Sequence, residues 1–529
     1  MFSMYSKIIV IVLSVVFSNL SIVGKAFGQI EIVKPNLLKI EEVKIEGNTV
    51  FSDLELNKIL ATVEGKTVTF EQVLQVKNAV IEFYRDQGYV SSGAFLPAQK
   101  LQDGRLTIRV VEGNLSSIEI EGLSRLTKQY VTARLPELDR PVKIGDLTEA
   151  LKKLQDDPLI EEIEGELKVL DQGRSLLALK IQENSPIQTQ LKLSNTFSPT
   201  IGSFGGEATA RHQNFLGFGD RLGASYTRTE GLTRYGVDYS LPLNADGGSL
   251  NISYQNADSE LIEEIVSAYD IQADYEALSL AWQQPIIDNE AERLAVSVKL
   301  EALRSETFVL DDFSFAFVDG LENGESRITP LRLGQEYVKR GEQNLIAAES
   351  QFNLGLDVFD ATNTRTGIDG IFWSWQGNFQ WIRAFDSERD WLLKTSLSTQ
   401  LSPDKLLPIE QLAVGGLGSV RGYRQNLIIG DNAVVGVVEG QLPLVNSTWG
   451  NVALAPFFDL GTVWSDLEDP GDDRSNTLAS MGLGLNYQLA NFLDTQVFYG
   501  IPLIEADGFG DSDTEERWGF TLLVNPLNF

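Results

Sequence analysis

Leu222-Gly223-Ala224-Ser225-Tyr226-Thr227 sets an apolar side chain at every second position and a small or polar one between. Side chains of a strand alternate between its two faces, so this hexapeptide, when extended, has one apolar and one wet side. The same alternation recurs in Leu250-Asn251-Ile252-Ser253-Tyr254, Leu393-Lys394-Thr395-Ser396-Leu397-Ser398, Leu483-Gly484-Leu485-Asn486-Tyr487 and Phe520-Thr521-Leu522-Leu523-Val524. No run of 18 apolar residues follows the first thirty, so no membrane-crossing helix is expected. A sheet with a lipid-facing side must close, because hydrocarbon leaves no partner for an unpaired backbone N–H or C=O. Residues 187–529 therefore predict a transmembrane antiparallel β-barrel, and at roughly 20 residues per strand and connection they allow about 16 strands.

The punctuation fits a barrel with two unlike rims. Leu241-Pro242, Gln284-Pro285, Leu442-Pro443 and Ile501-Pro502 are expected at tight turns, since proline is tolerated at strand ends. Longer acidic loops are expected between them, as at Asp258–Asp270 and Asp466–Asp473. The chain ends on Phe529, an aromatic terminus after an alternating strand.

At the other end, Lys7 precedes the apolar run Ile8–Phe17, and Ala26-Phe27-Gly28 puts small residues at −3 and −1. Residues 1–28 read as a signal peptide, leaving 29–38 as a short N-terminal segment. The net charge of −31 disfavours nucleic acid as a partner. There is no cysteine, which excludes disulfides, thiolate metal sites and a thiol nucleophile. The single histidine, His212, reads as a polar residue on a strand face. No metal, cofactor or catalytic site is expected. A Ser–His relay would have to use His212, and no Gly-x-Ser-x-Gly motif is present. No Gly-x-x-x-x-Gly-Lys-Ser/Thr run provides for a nucleotide either.

Residues 39–184 mix helix and strand in a pattern written twice. Ile40–Ile45 is a short strand closed by the turn signal Gly47-Asn48. Ser52 with Glu55 forms a capping-box pattern that opens one helix; Thr69 with Gln72 opens another, carrying Val73, Val76, Val80, Phe83 and Tyr84. Gly88 ends it, Tyr89–Phe95 reads as a strand, and Leu106, Ile108 and Val110 alternate in a further strand after Asp103-Gly104. The order strand–helix–helix–strand–strand returns from Ser117: Ile118–Leu123, helices near 128–135 and 146–155, then strands near 167–170 and 176–181.

A repeat of this order resembles POTRA domains, the periplasmic modules of barrel-type protein transporters, and Val43-Lys44-Ile45-Glu46-Gly47-Asn48-Thr49-Val50-Phe51-Ser52 carries the resemblance. It implies two α+β modules, 39–113 and 114–184. The stretch Leu407-Pro408-Ile409-Glu410-Gln411-Leu412-Ala413-Val414-Gly415-Gly416-Leu417-Gly418-Ser419-Val420-Arg421-Gly422-Tyr423-Arg424 resembles the signature of the haemolysin/filamentous-haemagglutinin transporter family, the TpsB side of two-partner secretion. In that family the motif tips a long extracellular loop, here near 405–432, folded back into the lumen. Gly415, Gly416, Gly418 and Gly422 suit sharp bends in a narrow bore. Ser419, Val420, Arg421 and Tyr423 complete the motif. Phe457-Phe458-Asp459-Leu460-Gly461 matches the family's Phe-x-Asp-x-Gly strand. The resemblance implies that Asp459 points inward and accepts from Arg421, with Phe457 and Gly461 on the same face. It makes Phe529 an assembly signal.

The function so implied is export of a large partner exoprotein, TpsA-like and β-helical, from periplasm to cell surface. The POTRA modules would bind it and the Val420–Tyr423 loop would gate the lumen. Outer-membrane lipids and, during biogenesis, the barrel-assembly machinery are the other partners. Studied members also carry a plug helix before the first POTRA. Residues 29–38 leave little room for one, so the inward loop is expected to be the main obstruction. Two rivals remain: an assembly insertase of the same superfamily, which usually has more than two POTRA modules, and a passive porin, which needs none.

Overall fold

The computed structural model describes residues 11–14, 37–101, 103–170, 173–310, 313–318, 321, 324–364, 368–386, 391–465, 476–506 and 516–526. The Ala26-Phe27-Gly28 cleavage site, the acidic segment Asp466–Asp473 and Phe529 lie outside them. The chain divides into two compact units, Met1–Ser185 and Pro186–Phe529.

The first unit holds two modules of the same topology. In the first, strand Glu42–Glu46 is followed by helices Asp53–Leu60 and Phe70–Asp86 and strands Gly93–Phe95 and Arg105–Val111. Glu42–Glu46 lies parallel to Arg105–Val111, which pairs antiparallel with Gly93–Phe95. Ser52 and Thr69 cap the helices through reciprocal bonds with Glu55 and Gln72. Val73, Val76, Val80 and Tyr84 recur at helical spacing and bury one stripe against Leu106, Ile108 and Val110. The expected strand Tyr89–Phe95 is shorter, because Tyr89–Ser92 turns: the Ser92 N–H donates to the Tyr89 carbonyl. Leu37–Ile40 pairs instead with Lys66–Thr69 as a separate ribbon.

The second module repeats this with strand Asn114–Glu121, helices Lys128–Thr132 and Ile144–Gln155, and strands Ile160–Val169 and Arg174–Glu183. Again the first and last strands are parallel and the last pair antiparallel. Two devices recur at equivalent places. Gly47 (φ +86°) and Gly122 (φ +89°) each follow the first strand and press against a carbonyl of the last, Val110 and Ile181 respectively. A side chain at either position would collide with that backbone. A carboxylate at the end of the last strand then caps the turn. Glu112 accepts from the N–H of Thr49 (2.7 Å) and Val50 (3.0 Å), and Glu183 from those of Ser124 (2.7 Å), Arg125 (3.0 Å) and Leu126 (3.0 Å). Burial pushes the Glu183 carboxyl up, but these donors outweigh it and hold it below the usual range.

The second unit is a closed antiparallel barrel of 16 strands. They are β1 Ile187–Ser194, β2 Gly205–Gln213, β3 Arg221–Arg228, β4 Leu232–Pro242, β5 Ser249–Glu260, β6 Gln272–Asp288, β7 Glu292–Val309, β8 Pro330–Arg340, β9 Asn344–Gly355, β10 Trp373–Ala384, β11 Leu392–Leu401, β12 Asn432–Ser447, β13 Gly450–Trp464, β14 Thr477–Leu489, β15 Leu493–Pro502 and β16 Trp518–Val524. β1 pairs with β16 from Leu191↔Val524 to Ser194↔Thr521, which closes the ring.

Its polarity is inverted relative to a water-soluble core. Along β13, Phe458 and Leu460 are each 45% exposed on the outside, while Asp459 between them is 0% exposed on the inside. A large apolar side chain facing out beside a buried carboxylate facing in is what lipid and a polar lumen select. The two rims differ as expected. Connections 243–248, 289–291, 341–343 and 490–492 are short, while 261–271, 356–372 and 402–431 on the other rim are long. The proline expectation needs correcting. Pro285 and Pro443 lie within β6 and β12, where register shifts at Pro285/Ile287 and Pro443/Val445 relieve the missing N–H. Pro242 ends β4 at a short connection, whereas Pro502 ends β15 at the long-loop rim. The acidic loop expected from Asp258 begins later, since β5 runs through Glu260.

Candidate functional site: a loop pinned inside the barrel

The longest continuously described connection, 402–431, joins β11 to β12 and folds inward. Its root is stapled. The Ser402 N–H donates to Asn432 Oδ1 (2.8 Å), the Leu406 N–H to Asp431 Oδ1 (3.0 Å), and Gln400 Nε2 to the carbonyls of Glu410 (3.0 Å) and Asp431 (3.1 Å). Leu412–Val414 and Ile428–Gly430 then pair as a short hairpin. Its apolar residues Val414, Val420, Tyr423 and Ile428 pack on Ala433, Val435, Val463 and Leu478 of the wall.

At the tip the chain reverses. The Gly415 N–H donates to Ser419 Oγ (2.7 Å) and the Gly416 N–H to the Val420 carbonyl (3.0 Å). Gly415, Gly416 and Gly422 have positive φ, whereas Gly418 faces open space and its position makes no such demand. Gly422 meets Gly500 of β15 backbone to backbone. A Cβ on Gly500 would sit 2.7 Å from the Gly422 nitrogen. Tyr423 is buried, and its hydroxyl lies 2.8 Å from the Ala479 carbonyl and 2.7 Å from that of Ile504.

Arg421 is 4% exposed and fully engaged. Its Nε and Nη2 donate to Asp459 Oδ2 and Oδ1, both at 2.8 Å, and its backbone N–H donates to Oδ2 at 3.1 Å. Nη1 donates to Glu439 Oε2 at 2.6 Å, and the guanidinium carbon stands 3.6 Å over the Phe457 ring centroid. A planar fork matched to a carboxylate, with an aromatic face beneath it, is the geometry in which arginine is not replaceable by lysine. On the same face of β13, a Cβ on Gly461 would fall 2.6 Å from Val414 Cγ1, so the missing side chain leaves room for the loop.

The structure thus brings the two sequence motifs together. Phe457, Asp459 and Gly461 line one inward face and meet the loop through Arg421, Val414 and Val420. Sequence reasoning missed Glu439, Lys394 at 3.7 Å from it, and Gly500. Glu439 carried a signal: it is the lone carboxylate in the apolar run Val434-Val435-Gly436-Val437-Val438-Glu439. His212 lies on β2, edge-on to Phe215 at 5.5 Å.

The family model for the haemolysin secretion/activation protein ShlB/FhaC/HecB matches residues 173–487. The chain belongs to that family. The ShlB-type POTRA domain model matches residues 38–113. Among curated relatives, the outer membrane transporter CdiB of Escherichia coli is 24% identical over 508 residues, covering 90% of this chain and 81% of the relative. A solved structure of CdiB from Escherichia coli superposes with a TM-score of 0.67 at 20% identity, covering 94% of this chain and 92% of that one. BamA from Haemophilus ducreyi lacking POTRA domains 1–3 shares the fold, with a TM-score of 0.60 at 18% identity, covering 92% of this chain and 100% of that one. The family member described here is an outer-membrane β-barrel transporter of the two-partner secretion type, with its POTRA region in the periplasm.

Proposed function

We propose that this protein exports one large exoprotein, TpsA-like and β-helical, from the periplasm to the cell surface. Residues 39–113 and 114–184 serve as two POTRA modules that receive the unfolded cargo, and the segment 415–423 gates the lumen. The observation that carries this reading is the Arg421–Asp459 contact, a buried ion pair holding an inward loop to the wall. A buried pair of this kind is costly to dehydrate. Its placement between the loop and the wall suits a latch. Cargo docking is read as strand addition at the Ile160–Val169 edge, once the leader strand beside it is gone. Ile11–Ser14 of the leader lies along it as a parallel strand from Ile11↔Gly165 to Ser14↔Lys168. In this reading that leader is removed at Gly28 in the exported protein. The barrel-assembly machinery inserts the barrel, with Phe529 as its signal.

The test is export by Arg421→Ala. Secretion of the partner falls while the barrel stays inserted and heat-modifiable on gels; unchanged secretion removes Arg421 from gating. One observation favours an insertase as the second reading: the β1–β16 seam has four register pairs among the described residues, against eight between β1 and β2. A short seam is where a barrel would open sideways. Cross-linking to bound client decides, since a secreted exoprotein supports export and a nascent barrel supports insertion.

A further inference from the structure

A second cluster of buried charge joins the loop to a separate part of the wall, on β7 and β8, five strands round the ring from β12 and β13. Arg332 projects inward from β8, donating Nη1 and Nη2 to the two oxygens of Glu410 at 3.0 and 2.6 Å. Its Nε donates to Glu301 on β7. Lys299 lies 3.1 Å from the same Glu301. Arg332 is 9% exposed and Glu410 7%. Glu410 belongs to the loop, on the limb that leads from β11 toward the tip.

This cluster is built like the one at Arg421. Each has an arginine between two carboxylates, with a lysine on a wall carboxylate. One is Arg421 with Asp459, Glu439 and Lys394; the other is Arg332 with Glu410, Glu301 and Lys299. Each sums to zero charge, which permits burial. They differ in direction. At the first, the loop supplies the arginine and the wall the acids. At the second, the wall supplies the arginine and the loop an acid. Beside it, Leu407 packs with Leu303 of β7 and Ile328, so the limb is held by charge and by apolar contact. A third link, Arg424 Nη2 to Glu263 Oε1 at 2.6 Å, ties the residue after the tip motif to the β5–β6 connection. The loop is therefore tied to β12 and β13, to β7 and β8, and to the β5–β6 connection.

We propose that Arg332 and Glu410 are a second clamp on the lumen loop, and that Arg332 is a positioning residue for gating. The proposal rests on the gating reading of the loop. Freeing the tip by breaking Arg421–Asp459 leaves the incoming limb fixed to β7 and β8, with part of the bore still occupied. Full opening requires both clamps to release.

The experiment is single-channel recording of the purified full-length protein in planar lipid bilayers, which needs no cargo. Glu410→Gln removes the loop's charge but leaves Arg332 neutralised by Glu301, whereas Glu301→Gln leaves the loop link in place. Glu410→Gln is expected to raise open probability by about tenfold, within the range of ordinary coupling between sites, and Glu301→Gln by much less. Combining Glu410→Gln with Arg421→Ala should open the pore more than either change alone. Heat-modifiable mobility verifies that each barrel is intact. Should Glu410→Gln insert poorly, Glu410→Asp keeps the charge, is too short for the two-pronged contact, and should open the pore in the same direction. A Glu410→Gln channel indistinguishable from the parent overturns the proposal, as does an equal effect of Glu301→Gln, which marks a contact that merely shapes the barrel. A parent channel that conducts but exports no partner sinks the secretion reading and leaves the clamp comparison standing.

Discussion

Arg421 is shared between two wall strands, with Asp459 of β13 accepting from Nε and Nη2 and Glu439 of β12 accepting from Nη1. The three bonds to Asp459, one of them from the Arg421 backbone, against one to Glu439 rank the two acids. Removing one partner of a buried pair costs about 3–5 kcal/mol, because the other charge is left behind. Asp459→Asn should therefore reduce secretion and loosen the loop more than Glu439→Gln, which leaves the two-pronged contact intact. Secretion assays with protease accessibility of residues 402–431 check the order, and equal or inverted effects contradict it.

Gly500 makes a steric prediction. Its α-carbon faces Gly422, and a methyl group there would strike the loop backbone rather than a side chain that can move aside. Gly500→Ala should displace the tip and raise channel conductance without changing the amount of inserted barrel. Gly436→Ala on β12, where a Cβ meets nothing within 4 Å, is the control and should be silent. Planar-bilayer recording distinguishes them.

The lipid-facing side can be tested independently of the loop. Leu483 lies mid-strand on β14 and faces outward. Arginine at the bilayer midplane of a barrel costs about 2–4 kcal/mol, so Leu483→Arg should lower the yield of heat-modifiable protein in membranes. Full yield would place that face against water or protein.

Glu183 gives a pH dependence to the second periplasmic module. Its folded carboxyl titrates below the usual range, so its contribution to stability is present at neutral pH, above the unfolded value. That contribution is lost as pH falls through the lowered folded value. Hydrogen exchange at Ser124, Arg125 and Leu126 in the full chain should speed up, relative to the intrinsic rate, on acidification from neutral, and Glu183→Gln should remove most of that response. A pH-independent protection factor contradicts it.

What could be read in the sequence was local or carried by a motif. Helix starts at Ser52 and Thr69 were legible because the capping partners lie three residues away. Alternating barrel segments were legible because lipid enforces a period of two. Ile160–Val169 was seen only at its end, because a register shift at Ile160/Glu162 breaks the alternation. Pro285 and Pro443 misled because a bulge inside a strand tolerates proline as well as a strand end does. Arg421 with Asp459 was suggested by family motifs. Arg332 with Glu410, separated by 78 residues, depends on barrel register and on how deep the loop reaches, and no local pattern encodes either.

In the proposed mechanism the loop leaves the wall when a chain passes. Gly461 and Val420 offer the direct test: a Cβ on Gly461 lies 2.9 Å from Val420 Cγ2, and the chain has no other cysteine to interfere. Val420→Cys with Gly461→Cys, in a Val414→Ala background that clears the methyl 2.6 Å from a Cβ at 461, is placed to form a disulfide that ties the loop to β13. The oxidised protein should secrete no partner and regain secretion on reduction. Undiminished secretion by fully cross-linked protein would show that cargo passes without the loop moving, and the account would fall.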